Sequence, residues 1–157
     1  MGRASGLLPQ DLNPNPQIIV LDAGGQYCHL IARKVREFGV YAETRPSETC
    51  APELSAARGI VISGGPSSVY DRDSATVDPE IFTADHAVLG ICYGQQLMAH
   101  LLGGVVQKGE KGEYGLATLD LNGGSKMTLF SGLPERQQVW MNHFDVVTGV
   151  PPGFAAV

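Results

Sequence analysis

The chain lacks the features that would place it in a bilayer or on a nucleic acid. No apolar run in its 157 residues approaches the ~18 to 20 that cross a hydrocarbon core, so no membrane is implied. Lysine and arginine number only 11 against 16 Asp and Glu, for a formal net charge of −5. They are scattered rather than gathered into a basic stripe, which leaves nucleic acid out of the partner list. Cysteine is scarce as well: Cys28, Cys50 and Cys92 form no even-numbered framework and no secretory signal precedes them. That pattern excludes a disulfide scaffold and points to reduced thiols in the cytoplasm. The four histidines show no ligand spacing, so no metal site is read. The opening "MGRASG" carries Gly6 where an acylation signal needs Ser or Thr.

What is present is an ordinary globular composition, 43% apolar and 17% charged, in a chain long enough to bury roughly two-thirds of its unfolded surface in one domain. Residues 1–16 are rich in Pro, Asn and Gly without periodicity and read as a flexible leader; the domain is expected over 17–157. "QIIVLD" (17–22) is a continuous apolar run, as in a strand buried on both faces. It is followed by a helical pattern over 24–39, with Leu30, Ile31, Val35 and Phe38 in phase and Gly39 as the stop. The alternation repeats: strand 40–44, helix 51–57, strand 59–65, helix within 78–85, strand 87–91 and helix 92–102. Residues 114–121 and 137–147 alternate as flanking strands. The fold class is therefore α/β, an open, mainly parallel, flavodoxin-like sheet with helices on both faces and a flanking antiparallel section. In such a sheet ligands bind beyond the carboxyl ends of the strands. Residues 22–25, 63–67 and 90–94 fall on that edge.

"GICYGQQLMA" (90–99) stands at this edge, an apolar strand running through a glycine-flanked turn into a helix with Cys92 at the turn. This is the frame of a nucleophile elbow, and a thiol at a helix start feels the dipole that favours thiolate. A lone cysteine is more often a buried structural one; the G-x-C-x-G frame after a strand reverses that weighting. "ISGGPSSVY" (62–70) ends a strand in Gly-Gly-Pro, whose amides could meet an oxyanion together with that of Tyr93, although most such triplets are ordinary turns. "VWMNHFD" (139–145) gathers Trp140, Asn142, His143 and Asp145, either a polar substrate grip or a solvated strand end.

Together "LDAGGQY", "ISGGPSSVYD", "GICYGQQLMA" and "VWMNHFD" resemble the class I glutamine amidotransferase domain carried by GMP synthetases, from about Gln17 onward. The resemblance implies that Cys92 attacks the side-chain amide of glutamine to form a γ-glutamyl thioester and release ammonia, with the Gly65 and Tyr93 amides holding the oxyanion. It implies that Gln96, Asn142 and His143 bind the substrate. It implies no cofactor in this domain, and a partner ATP-pyrophosphatase (synthetase) domain that uses ATP and Mg to convert XMP to GMP. The family usually has Gly where Phe144 stands, and its His-Pro-Glu motif, which completes a Cys-His-Glu triad, occurs nowhere in these 157 residues. The fragment alone is therefore expected to be inactive. Two other readings remain open: a catalytically silent amidotransferase-like module that binds or regulates a partner, and a stand-alone γ-glutamyl cysteine hydrolase using His143.

Overall fold

A computed structural model describes residues 15–121 and 128–156. The expected leader lies, except for Asn15 and Pro16, outside the described residues. Four short strands, β1 (Ile18–Asp22), β2 (Ala42–Pro46), β3 (Gly59–Ile62) and β4 (Ala87–Gly90), form a parallel sheet in the order β2-β1-β3-β4. The continuous apolar runs arise because the inner strands are covered on both faces. Ile19, Leu21, Ile60 and Ile62 turn to one side, into a core with Leu54 of α2 (Ala51–Leu54) and Tyr93 and Leu97 of α3 (Tyr93–Leu101). Val20 and Val61 turn to the other and meet Cys28 and Ala32 of α1 (Cys28–Glu37).

Helix α1 starts at Cys28, not Gly24, because residues 24–25 are taken up by a loop against the end of β3. Its buried stripe is accordingly Cys28, Ile31, Ala32 and Val35, at i, i+3, i+4 and i+7. Leu30 and Phe38, expected in the core, are exposed. Gly39 does end the helix, at φ +78° and with its N–H on the Arg36 carbonyl. The helix expected within 78–85 is a 3₁₀ turn, Pro79–Phe82, opened by Asp78, whose carboxylate accepts from the N–H of Glu80 at 3.0 Å and from that of Ala51 at 2.8 Å. One side chain thus caps two elements.

The flanking section is a long antiparallel pair, β5 (Val105–Asp120) and β6 (Arg136–Gly149), with Leu116 opposite Trp140 and Tyr114 opposite Asn142. Both strands run beyond the alternating stretches in the sequence. A register shift between Lys108 and Glu113, in a segment carrying Gly109 and Gly112, breaks the period-two pattern while the chain remains extended. At the carboxyl ends of β1, β3 and β4 the segments 22–25, 63–66 and 90–92 come together, and the middle of β6 crosses beside them.

Candidate functional site

The turn from β4 into α3 contains two residues, Ile91 and Cys92. The Ile91 N–H extends the β3–β4 ladder to the Ile62 carbonyl, 3.0 Å, and the Cys92 carbonyl already accepts from Gln95 and Gln96 in the first turn of α3. Reversing direction so quickly forces Cys92 to φ +53°, ψ −114°, and it is the one non-glycine at positive φ among the described residues. Such a conformation costs on the order of 1–3 kcal/mol and persists only where its surroundings fix it. Gly90 and Gly94 provide that fixation by close approach. A Cβ on Gly90 would stand 2.6 Å from Gln95 Cα, and one on Gly94 would stand 2.2 Å from the Ile62 carbonyl oxygen. The G-x-C-x-G spacing is the imprint of a helix laid directly on a strand end.

Around the exposed Cys92 the strand-end loops interlock. A Cβ at Gly64 would touch Cys92 Cβ at 3.5 Å, and one at Gly65 would lie 2.3 Å from the Ala23 carbonyl oxygen and 3.4 Å from Tyr93 Cδ1. Two amides at this junction, those of Gly65 and Tyr93, have no hydrogen-bond partner among the described residues. The family resemblance pairs these two as oxyanion donors, and the fold brings their segments together.

The opposite wall is β6. The Cys92 thiol donates to the Asn142 carbonyl at 3.6 Å. Gln96, 5% exposed, does not project into open space; its Nε2 donates to the Asp145 carbonyl at 2.7 Å. The carboxylate of Asp145, itself buried, accepts from the Ser68 hydroxyl. His143 is engaged at both ring nitrogens: Nδ1 donates to the Asp145 carbonyl, 3.1 Å, and Nε2 lies 3.0 Å from the Glu113 carboxylate. Phe144 lies beside Lys108, whose ammonium is 5.8 Å from the ring centroid. Ser68 and Glu113 are not singled out by the sequence, since Ser68 meets Asp145 only where β6 passes the loop after β3 and Glu113 meets His143 only through the β5–β6 register.

The other thiols are not at this junction. Cys28 is buried under α1, and burial, reinforced by the charge of Asp22 and opposed by the Ser63 hydroxyl, pushes its pKa up. Cys50 is exposed, and its thiol donates to the Glu53 carboxylate at 2.9 Å, a bond that raises its pKa. No group of three or more His, Cys, Asp or Glu that could hold a metal occurs among the described residues, and no helix among them is long and apolar enough to cross a membrane.

A parallel sheet in this order, with a strained cysteine at a strand-to-helix turn, has the frame of a nucleophile elbow. The family description "Glutamine amidotransferase class-I" matches residues 19–157, and the chain belongs to that family. It is 50% identical over 149 residues to a protein of Enterococcus faecalis named GMP synthase [glutamine-hydrolyzing], covering 94% of this chain and 28% of the relative. It is 54% identical over 140 residues to the protein of that name from Geobacillus kaustophilus, covering 88% of this chain and 27% of the relative. The chain thus spans little more than a quarter of the length of these curated relatives. Among solved structures it resembles a Thermoplasma acidophilum protein provisionally assigned to GMP synthase, with TM-score 0.75 and 29% identity over 87% of this chain and 69% of that one.

Proposed function

We propose that the chain is the glutamine-hydrolysing part of a GMP synthase, using Cys92 to release ammonia for amination of XMP. The observation that carries this reading is the elbow itself, a thiol held at positive φ at the N-terminus of α3 beside two unpartnered amides. In the proposed reaction the Cys92 thiolate adds to the side-chain carbonyl carbon of glutamine. The oxyanion that develops is held by the Gly65 and Tyr93 amides, which need no reorganisation because the loops already fix them. The carbon–nitrogen bond then breaks, the nitrogen leaves with a proton as ammonia, and water cleaves the thioester to glutamate and free thiol.

Two steps need a proton carrier: the departing amine must be protonated and the attacking water deprotonated. His143 is not presented to Cys92 for that purpose, since both of its nitrogens are committed to Asp145 and Glu113. We assign Gln96 to holding β6 in place beside the thiol, His143 to bracing β6 against β5, and the exposed side chain of Asn142 to the substrate's amino-acid end. The proposal adds no cofactor to this domain. ATP and Mg would serve the synthetase region of the longer relatives, which is also the partner that consumes the ammonia.

The test uses the full-length protein with XMP and ATP-Mg, supplied with either glutamine or ammonium. Cys92→Ala should abolish GMP formation from glutamine, remove glutamate release, and leave formation from ammonium within about twofold. Unchanged glutamine use in that variant would overturn the reading.

A further inference from the structure

Ser63, the residue before the two glycines at the end of β3, is 1% exposed, and its hydroxyl, which also lies within reach of the Cys28 thiol, makes two hydrogen bonds to the backbone. It accepts from the Ala23 N–H at 3.0 Å and donates to the Gly64 carbonyl at 3.1 Å. The second bond matters because of covalent geometry. The Gly64 carbonyl and the Gly65 N–H belong to one planar peptide unit, trans like every described peptide here, so they point in opposite directions. Fixing one fixes the other.

The Gly64 carbonyl is clamped on the β1 side. Ser63 holds it by hydrogen bond, and Gly25 approaches so closely that a Cβ there would stand 2.2 Å from the carbonyl oxygen. Strand β3 lies between β1 and β4, so an N–H directed away from the β1 loop is directed toward the β4 end, where Cys92 and Tyr93 are. We propose that Ser63 is a positioning residue for the hydrolytic step, its hydroxyl orienting the Gly64–Gly65 peptide so that the Gly65 N–H meets the oxyanion. Without the hydroxyl the Gly64 carbonyl keeps only the steric wall of Gly25 and the peptide can rotate, which spoils a donor that must be in place before charge develops. The loop of β1 is tied into the same arrangement through the Ala23 N–H, so the "DAGG" and "SGGP" stretches act as one unit with Ser63 as the pin.

This inference rests on the proposed glutamine chemistry, and the experiment separates the two. Ser63→Ala and Ser63→Thr are made in the full-length protein, and glutamine hydrolysis is measured beside the rate of Cys92 alkylation by iodoacetamide. Alkylation is a displacement at carbon that forms no oxyanion, so it reports the thiol without the amide. Ser63→Ala should lower kcat by ~10-fold or more, short of the ~10²–10³ that follows removal of a donor itself. KM and the alkylation rate should stay within about twofold. Ser63→Thr, which keeps the hydroxyl, should recover most of kcat, and affinity for glutamate γ-semialdehyde, whose adduct on Cys92 carries the oxyanion, should follow kcat across the set. An unchanged kcat in Ser63→Ala, or a parallel collapse of kcat, alkylation and thermal stability, would overturn the positioning role. An unmutated protein that releases no glutamate from glutamine would instead overturn the reading of the site, and the Ser63 role with it.

Discussion

Three thiols in one chain differ in how they can react, and the causes are local. Cys28 is sealed under α1 and its pKa is raised first by that burial. Cys50 is open to solvent, yet its proton is held by Glu53. Cys92 is exposed at the start of a helix of nine residues, with no carboxylate bonded to it. A limiting amount of iodoacetamide, or of a glutamine-like chloroketone, should therefore label Cys92 first, read by peptide mapping in a mass spectrometer. Preferential labelling of Cys50 would contradict the elbow. The backbone at Cys92 yields a second expectation. Glycine adopts φ +53° without a Cβ clash, so Cys92→Gly relieves strain, partly offset by the greater freedom of glycine in the unfolded chain. Stability should rise by about 1 kcal/mol, or ~2–4 °C in Tm for a domain of this size, while glutamine hydrolysis disappears. Cys92→Ala, which keeps the Cβ, should melt with the unmutated protein.

At the scale of elements, what was legible in the sequence depended on whether a residue's reason was local. The strands at 18–22 and 59–62 were readable because two-sided burial leaves unbroken apolar runs, and the strand at 87–90 and the helix after Cys92 because a glycine-framed turn separates them. The start of α1 was not, since Gly24 and Gly25 fit the helical pattern equally well and are diverted only by the neighbouring β3 loop. The elbow could be read from Gly90 and Gly94, but not the two amides' lack of partners, nor the ties that hold β6. Gln96 reaches Asp145 across 49 positions, and His143 reaches Glu113 across a bulged strand pair.

Particular contacts set two expectations for these elements. Gly94→Ala would place a methyl against the Ile62 carbonyl, so α3 must lift from β3. Overpacking of this kind costs typically ~1–3 kcal/mol, and a thermal melt should show the loss alongside reduced alkylation of Cys92. Asp78 holds α2 and the following 3₁₀ turn together; the N–H of Ala51, then that of Glu80, keeps its carboxyl below the usual carboxylate range. A carboxylate with a lowered folded pKa stabilises fully above its unfolded value, ~3.9, and loses that contribution as pH falls through the folded value. The Tm gap between the unmutated chain and Asp78→Ala should therefore be constant from pH 7 to about 5 and narrow below about 4.

At the scale of the whole molecule, two units meet at one thiol: a parallel sheet that supplies the elbow and the interlocked loops, and an antiparallel arm whose strand β6 passes over it. The arm is fastened near Cys92 by Gln96 and Ser68 acting on Asp145, and farther along it stands clear, with Tyr114, Leu116 and Trp140 exposed. Trp140 is the sole tryptophan of the sequence, 76% exposed, and only two residues before the carbonyl that receives the Cys92 thiol. The chain therefore carries a built-in optical reporter. Excited at the red edge of its absorption, the free protein should show the long-wavelength emission of a hydrated indole, open to iodide quenching. A partner that covers the arm should shift that emission to the blue and shield it, whereas alkylation of the exposed Cys50 should leave it unchanged.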